Sequence, residues 1–133
     1  MDQLNKPIKI TVIVLRTLMG LIFIASSVVV LAEIVEPPTD LPPKVQTFQD
    51  GMEATGYLLY LIKVTELVCG LLLVSGRFVP LASVMIFPIT LNIFLYHIFV
   101  YTEGLPVAIF LLVVNLVLAY VHRSSYSPLF KAK

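Results

Sequence analysis

Four apolar stretches dominate the chain, with polar residues gathered between them. The first covers residues 10–32 and contains Arg16. The second covers 57–75 and contains Lys63 and Glu66. The third covers 78–101 with Asn92 and His97, and the fourth covers 105–121 with Asn115. Each is close to the roughly 20 mostly apolar residues a helix needs to cross a bilayer. Leu71-Leu72-Leu73-Val74 and Leu111-Leu112-Val113-Val114 are apolar on every face. Helices in lipid read that way, whereas barrel strands alternate with a period of two. Pro80 and Pro106 fall near the starts of the third and fourth stretches, where a missing N–H is harmless. Gly76-Arg77 and Thr102-Glu103-Gly104 leave room only for tight turns, which force neighbouring helices to run antiparallel. The pattern predicts an all-α fold: an integral membrane antiparallel four-helix bundle, one domain over residues 1–133.

The stretch 33–56 is the one sizeable segment outside the spans. Pro37-Pro38 and Pro42-Pro43 exclude helix from its first half. Val45, Phe48, Gln49 and Met52 then recur at i, i+3, i+4 and i+7, which predicts a short amphipathic helix ending near Gly51 or Gly56. Its apolar face has two readings, a cap that closes the bundle or a lid over a pocket. Val30-Leu31-Ala32 ahead of Glu33 loosely resembles a signal-peptidase site. The apolar run is longer than a signal peptide's core, however, and Arg16 interrupts it. The first stretch is therefore read as a retained helix.

Composition agrees with this pattern. Of 133 residues, 59% are hydrophobic and 13% charged, and the mean hydropathy is +0.98. A soluble domain is about 45–50% apolar and about 25% charged, and one this small has too little interior to hide the excess. A formal net charge of +1 leaves no footprint for nucleic acid. A single cysteine excludes an internal disulfide or dithiol pair. Lys6, Lys9, Arg77, Arg123, Lys131 and Lys133 share one end of a four-span bundle, while the other end holds Lys44 among six acidic residues. The distribution of lysine and arginine predicts cytoplasmic termini and an outward loop 33–56.

The polar residues within the spans carry the candidate chemistry. An ionised side chain at mid-bilayer costs about 2.5–3.5 kcal/mol on insertion scales. At about 1.5 Å per residue, Arg16 sits about 9 Å and Glu66 about 14 Å above the inner boundary, a gap that the long arginine stem can span. Lys63 is one turn from Glu66 on the same face. Asn115 falls near the level of Glu66, and Asn92 near that of Lys63. A layered cluster of Arg16, Lys63, Glu66, Asn92 and Asn115 follows, serving either to neutralise buried charge or to bind a head group, a quinone carbonyl or a proton. Two cations against one carboxylate leave Lys63 to snorkel outward or to meet a quinone oxygen, thiosulfate or a lipid phosphate. Pro88 breaks the third span one turn before Asn92, producing a packing kink or a cavity wall. His97, Tyr60 and Tyr96 mark the outer end as further contacts. His97 and His122 fall at opposite ends, about 30 Å apart in level, too far for one haem. No metal-ligand spacing and no catalytic set is present. Cys69 lies in an apolar stretch and reads as inert packing.

These residues resemble the DoxX family of small four-helix bacterial inner-membrane proteins. The resemblance rests on Arg16-x-x-x-Gly20-x-Ile22-Phe23, on Lys63-Val64-Thr65-Glu66 leading to Gly70, on Gly76-Arg77-Phe78-Val79-Pro80, and on Asn92-Ile93-Phe94-Leu95-Tyr96-His97. It implies a location in the bacterial cytoplasmic membrane and, by match to these motifs, a functional interest in Arg16, Lys63, Glu66, Asn92 and His97. Relatives include a subunit of thiosulfate:quinone oxidoreductase, and others are associated with membrane redox complexes. The chain departs from the family pattern at Ser26-Ser27-Val28-Val29-Val30 and lacks a cysteine pair, which points away from thiol chemistry. Three functions stay open: an accessory subunit that docks a protein partner or forms a homo-oligomer, a quinone-linked oxidoreductase component, and a binder or carrier of a small lipid-like or anionic molecule.

Overall fold

The computed structural model describes residues 2–133. Helix α1 spans Lys6–Leu31, α2 Pro43–Ala54, α3 Leu58–Ser75, α4 Val79–Phe99, α5 Leu105–Val121 and the short α6 Arg123–Tyr126. Helices α1, α3 and α4, and α5 with the turn before it, are long and apolar enough to cross a membrane. They run alternately up and down, so the start of α1, the α3–α4 turn and α6 share a terminal end, and α2 and the α4–α5 turn share a loop end.

Helix α1 starts earlier than the apolar run because Asn5 caps it. The Asn5 side chain accepts from the Ile8 N–H at 3.2 Å, and Pro7 sits in the first turn, where no N–H is needed. At the other end, Glu33 takes a left-handed conformation at φ 52°. The Ile34 and Glu33 N–H groups bond back to Val29 and Val30, the pattern that closes a helix and turns the chain. Helix α2 begins at Pro43, the last residue of the proline cluster, since a first-turn proline loses nothing. Gly76 ends α3 at φ 74°, and Phe78 follows at φ 54° before α4 begins. These two left-handed residues reverse the chain within a few positions.

Leu18, Leu21, Leu71, Leu81, Val113 and Leu116 are exposed on the outside of the bundle, as lipid-facing side chains must be. Met19, Phe23, Leu73, Ile86 and Leu118 fill the interior. The buried hydroxyls of Ser27, Ser83 and Thr90 bond to the carbonyl one turn earlier on their own helix, because an unpaired hydroxyl in a dry interior is costly. Helices α1 and α3 meet at two glycines. A side chain on Gly20 would stand 2.9 Å from the Gly70 carbonyl oxygen, and one on Gly70 would stand 2.9 Å from that of Gly20. Small residues allow this close approach, and close packing is a main source of helix association in lipid.

Candidate functional site

Above the glycine contact, in the loop-end half of the bundle, the helices form a half-open pocket of about 590 Å³. Its lining on α3 runs from Leu58 to Glu66 and on α4 from Pro88 to His97. The pocket is thus a wedge that closes toward the turn joining these two helices. Pro88 cannot supply the N–H that Val84 would accept, and the lining of α4 begins at this proline. Ile22, Phe23 and Ser26 of α1 form the back. Phe48, Gln49 and Met52 of α2 form the roof, and Val45 is buried beneath the same helix. The apolar repeat of the loop helix therefore faces the pocket.

Two contacts tie this roof to α4. Phe48 packs on Tyr96 with ring centroids 4.8 Å apart, and the Lys44 ammonium donates to the Phe99 carbonyl. Tyr96 in turn meets His97 edge-on at 5.0 Å. Nδ1 of His97 lies 2.7 Å from the Tyr101 carbonyl, which can only accept, so Nδ1 is the donor in this contact. A side chain on Gly104 would strike this imidazole, so the glycine lets the ring lie flat on the α4–α5 turn. In that turn the Tyr101 hydroxyl donates to Glu103, which pushes the phenol pKa up.

The polar feature of the pocket is a charge pair. Lys63 Nζ is 3.1 Å from Oε2 of Glu66 and 2.9 Å from the Ser26 hydroxyl. The lysine side chain is 15% exposed and the glutamate 3%. The pair follows from the i, i+3 spacing on α3, and the glycine contact brings α1 near enough for Ser26 to join. Two adjacent serines on a helix must face different ways. Ser27 turns into its own backbone, while Ser26 reaches the pair, a division visible only once α3 is in place.

The other expected residues are distributed as follows. Asn92, His97 and Tyr96 line the pocket with Lys63 and Glu66. Tyr60 is 59% exposed on the outer side of α3, away from the pocket lining. Asn115 is fully buried and donates to the Ser83 carbonyl at 3.0 Å, bracing α5 against α4, which runs unbroken through Pro88. Arg16 lies at the terminal end, its guanidinium nitrogen 3.1 Å from where a side chain on Gly76 would stand. The expected cluster of five therefore stands as three separate groups. Cys69 is buried. Among the described residues no three His, Cys, Asp or Glu side chains come together in a metal-binding group.

A family model described as DoxX matches residues 11–101. That range holds the whole of α2, α3 and α4, most of α1, and both members of the charge pair. No curated protein and no solved structure gives a significant match.

Proposed function

This chain belongs to the DoxX family, and from that premise we propose that it binds a small, neutral, membrane-dissolved amphiphile in the lidded pocket. The observation that carries this reading is the Lys63–Glu66 pair on the wall of a largely apolar cavity of about 590 Å³. Small-molecule sites span about 300–1,000 Å³ and combine an apolar lining with a few oriented polar groups. An ammonium has three donors. Lys63 directs two of them at Ser26 and Glu66, and the third, without a partner among the described residues, can meet a ligand oxygen. Asn92 offers an amide on the facing helix. Because Glu66 already balances Lys63, the pocket suits an uncharged acceptor such as a carbonyl. A quinone ring on an apolar tail has that form, and so does the ester region of a lipid.

Docking of a protein partner has no comparable geometric support, and the test includes it as the opposing outcome. The basic terminal end belongs on the cytoplasmic side of a bacterial membrane in this reading, with the α2 lid outside. The experiment is native mass spectrometry of the gently solubilised protein beside its Lys63→Met/Glu66→Gln variant, which removes both charges at once. A retained small-molecule mass in the natural chain, lost in a variant of equal thermal stability, supports the reading. A stoichiometric protein partner with no small molecule, and no stabilisation by an added quinone or phospholipid, overturns it in favour of docking.

A further inference from the structure

The terminal end of the bundle carries a second polar group, separate from the pocket. Arg16 projects from the middle of α1 toward the α3–α4 turn, where its guanidinium lies against Gly76. Arg77 follows Gly76 directly and is exposed. The described residues contain two ion pairs, Lys9–Asp2 and Lys63–Glu66, so Arg16 has no carboxylate partner among them. Its Nε is enclosed and meets no hydrogen-bond acceptor among those residues, and the enclosed Nε2 of His122 likewise has no partner there. The two side chains are neighbours. Burial, with nearby positive charges adding to it, Arg16 the smallest of these contributions, pushes the His122 imidazole below its ordinary pKa. Tyr126 of α6 donates to the Pro80 carbonyl at 2.7 Å, which holds the segment after His122 against the start of α4.

A half-buried arginine whose Nε is enclosed and unpaired among the described residues, set beside an exposed arginine, is an unmet demand for oxygen acceptors carrying negative charge. Arginine's planar fork matches phosphate in particular. At this depth, near a bilayer surface, the abundant bearer of such oxygens is a phospholipid head group, and basic recesses between spanning helices on the cytoplasmic side hold anionic lipids. We propose that Arg16, His122 and Arg77 form a phosphate-binding site at the terminal end of the bundle, occupied by the head group of an anionic phospholipid. Arg16 supplies the fork, Arg77 adds charge at the rim, and His122 offers Nε2 as a further polar contact. The site is independent of the lidded pocket and shares no residue with it.

The test uses the full chain in mild detergent. Its thermal midpoint is titrated separately with phosphatidylglycerol, phosphatidylcholine and inorganic phosphate, and the natural chain is compared with Arg16→Gln and Arg77→Gln. The expected result is a rise in midpoint with phosphatidylglycerol well beyond that with phosphatidylcholine. Arg16→Gln should weaken the apparent affinity about tenfold or more, the scale of a lost charge-assisted hydrogen bond, and Arg77→Gln should weaken it less. Equal stabilisation by inorganic phosphate at matched concentration keeps the site and makes a soluble anion its occupant. Arg77 is exposed on a turn, so its variant folds even if Arg16→Gln does not. Identical responses to both lipids in the natural chain, or a phosphatidylglycerol response unchanged by either variant, overturn the proposal.

Discussion

Replacing Gly70 by alanine tests the link between helix packing and the pocket. The new methyl carbon would lie 2.9 Å from the Gly20 carbonyl oxygen, 2.9 Å from Cγ1 of Ile24 and 3.2 Å from the Ile24 backbone nitrogen. Ordinary contact begins near 3.4 Å, so α1 must retreat from α3 by about 0.5 Å at this point. Two of the three obstacles are backbone atoms, which cannot rotate away. Overpacking of this kind costs about 1–3 kcal/mol, and lipid offers no hydrophobic force to press the helices back together. For a chain of this size the melting midpoint in detergent should fall by about 3–10 °C. The displacement also reaches the site. Ser26 lies about 9 Å above Gly20 along α1, and the same shift would stretch its 2.9 Å bond to Lys63 to about 3.4 Å, beyond useful hydrogen-bond length. Ligand retention should therefore drop together with stability. Gly51→Ala is the control. Nothing lies within 4 Å of that position, and alanine is favoured over glycine inside a helix by about 0.5–1 kcal/mol, so this variant should melt at the same temperature or slightly higher. Equal midpoints for Gly70→Ala and the natural chain would refute the assigned α1–α3 contact.

Glu66→Gln alone strands the Lys63 ammonium and should cost about 3–5 kcal/mol in a detergent unfolding assay, whereas Lys63→Met/Glu66→Gln should recover most of that loss; strictly additive single and double variants would mean the pair is not coupled. Pro88→Ala restores the N–H for Val84 and replaces a side chain that lines the pocket, so stability should hold or rise while ligand affinity falls; unchanged affinity would separate this proline from the ligand site. The folded protein holds the His122 imidazole below its ordinary value of 6.5, so the unfolded chain takes up the proton first. Stability should be full above that value and decline as pH falls from it through the lower folded pKa. His122→Gln should flatten this part of the profile of melting temperature against pH, and an unaltered profile would assign the decline to other groups.

The four spanning helices could be read from the sequence because lipid imposes one demand on every outward face, and an unbroken apolar run satisfies it. The loop helix could be read because its spacing at 45, 48, 49 and 52 lies within one element, as does the i, i+3 pair of Lys63 and Glu66. Contacts between elements could not be read in the same way. Counting residues from a span's end gives a level in the membrane, but it does not say which neighbour a side chain faces. Asn115 illustrates this, since its level is compatible with α3 but its amide meets the Ser83 carbonyl of α4. Ser26 illustrates the converse, since its role depends on how closely Gly20 and Gly70 let two helices approach.

Arg16 adds a further physical reason, the direction in which helical side chains lean. Every Cα–Cβ bond tilts toward the N-terminus of its own helix. Helix α1 begins at the terminal end, so Arg16 leans toward that end and reaches Gly76. Helix α3 begins at the loop end, so Glu66 and Lys63 lean the opposite way, into the pocket. Two antiparallel helices thus drive apart opposite charges that depth alone would pair. The outcome is two polar regions of different character. The pocket holds a cation already balanced by a carboxylate 3.1 Å away, and that arrangement disfavours an anion and suits a neutral acceptor. The terminal end holds a cation with no carboxylate partner among the described residues, and that arrangement suits a phosphate. Pairing Arg16 with Glu66 would require side-chain rotamers that work against this lean, so antiparallel topology favours two separate polar regions over one self-neutralised cluster.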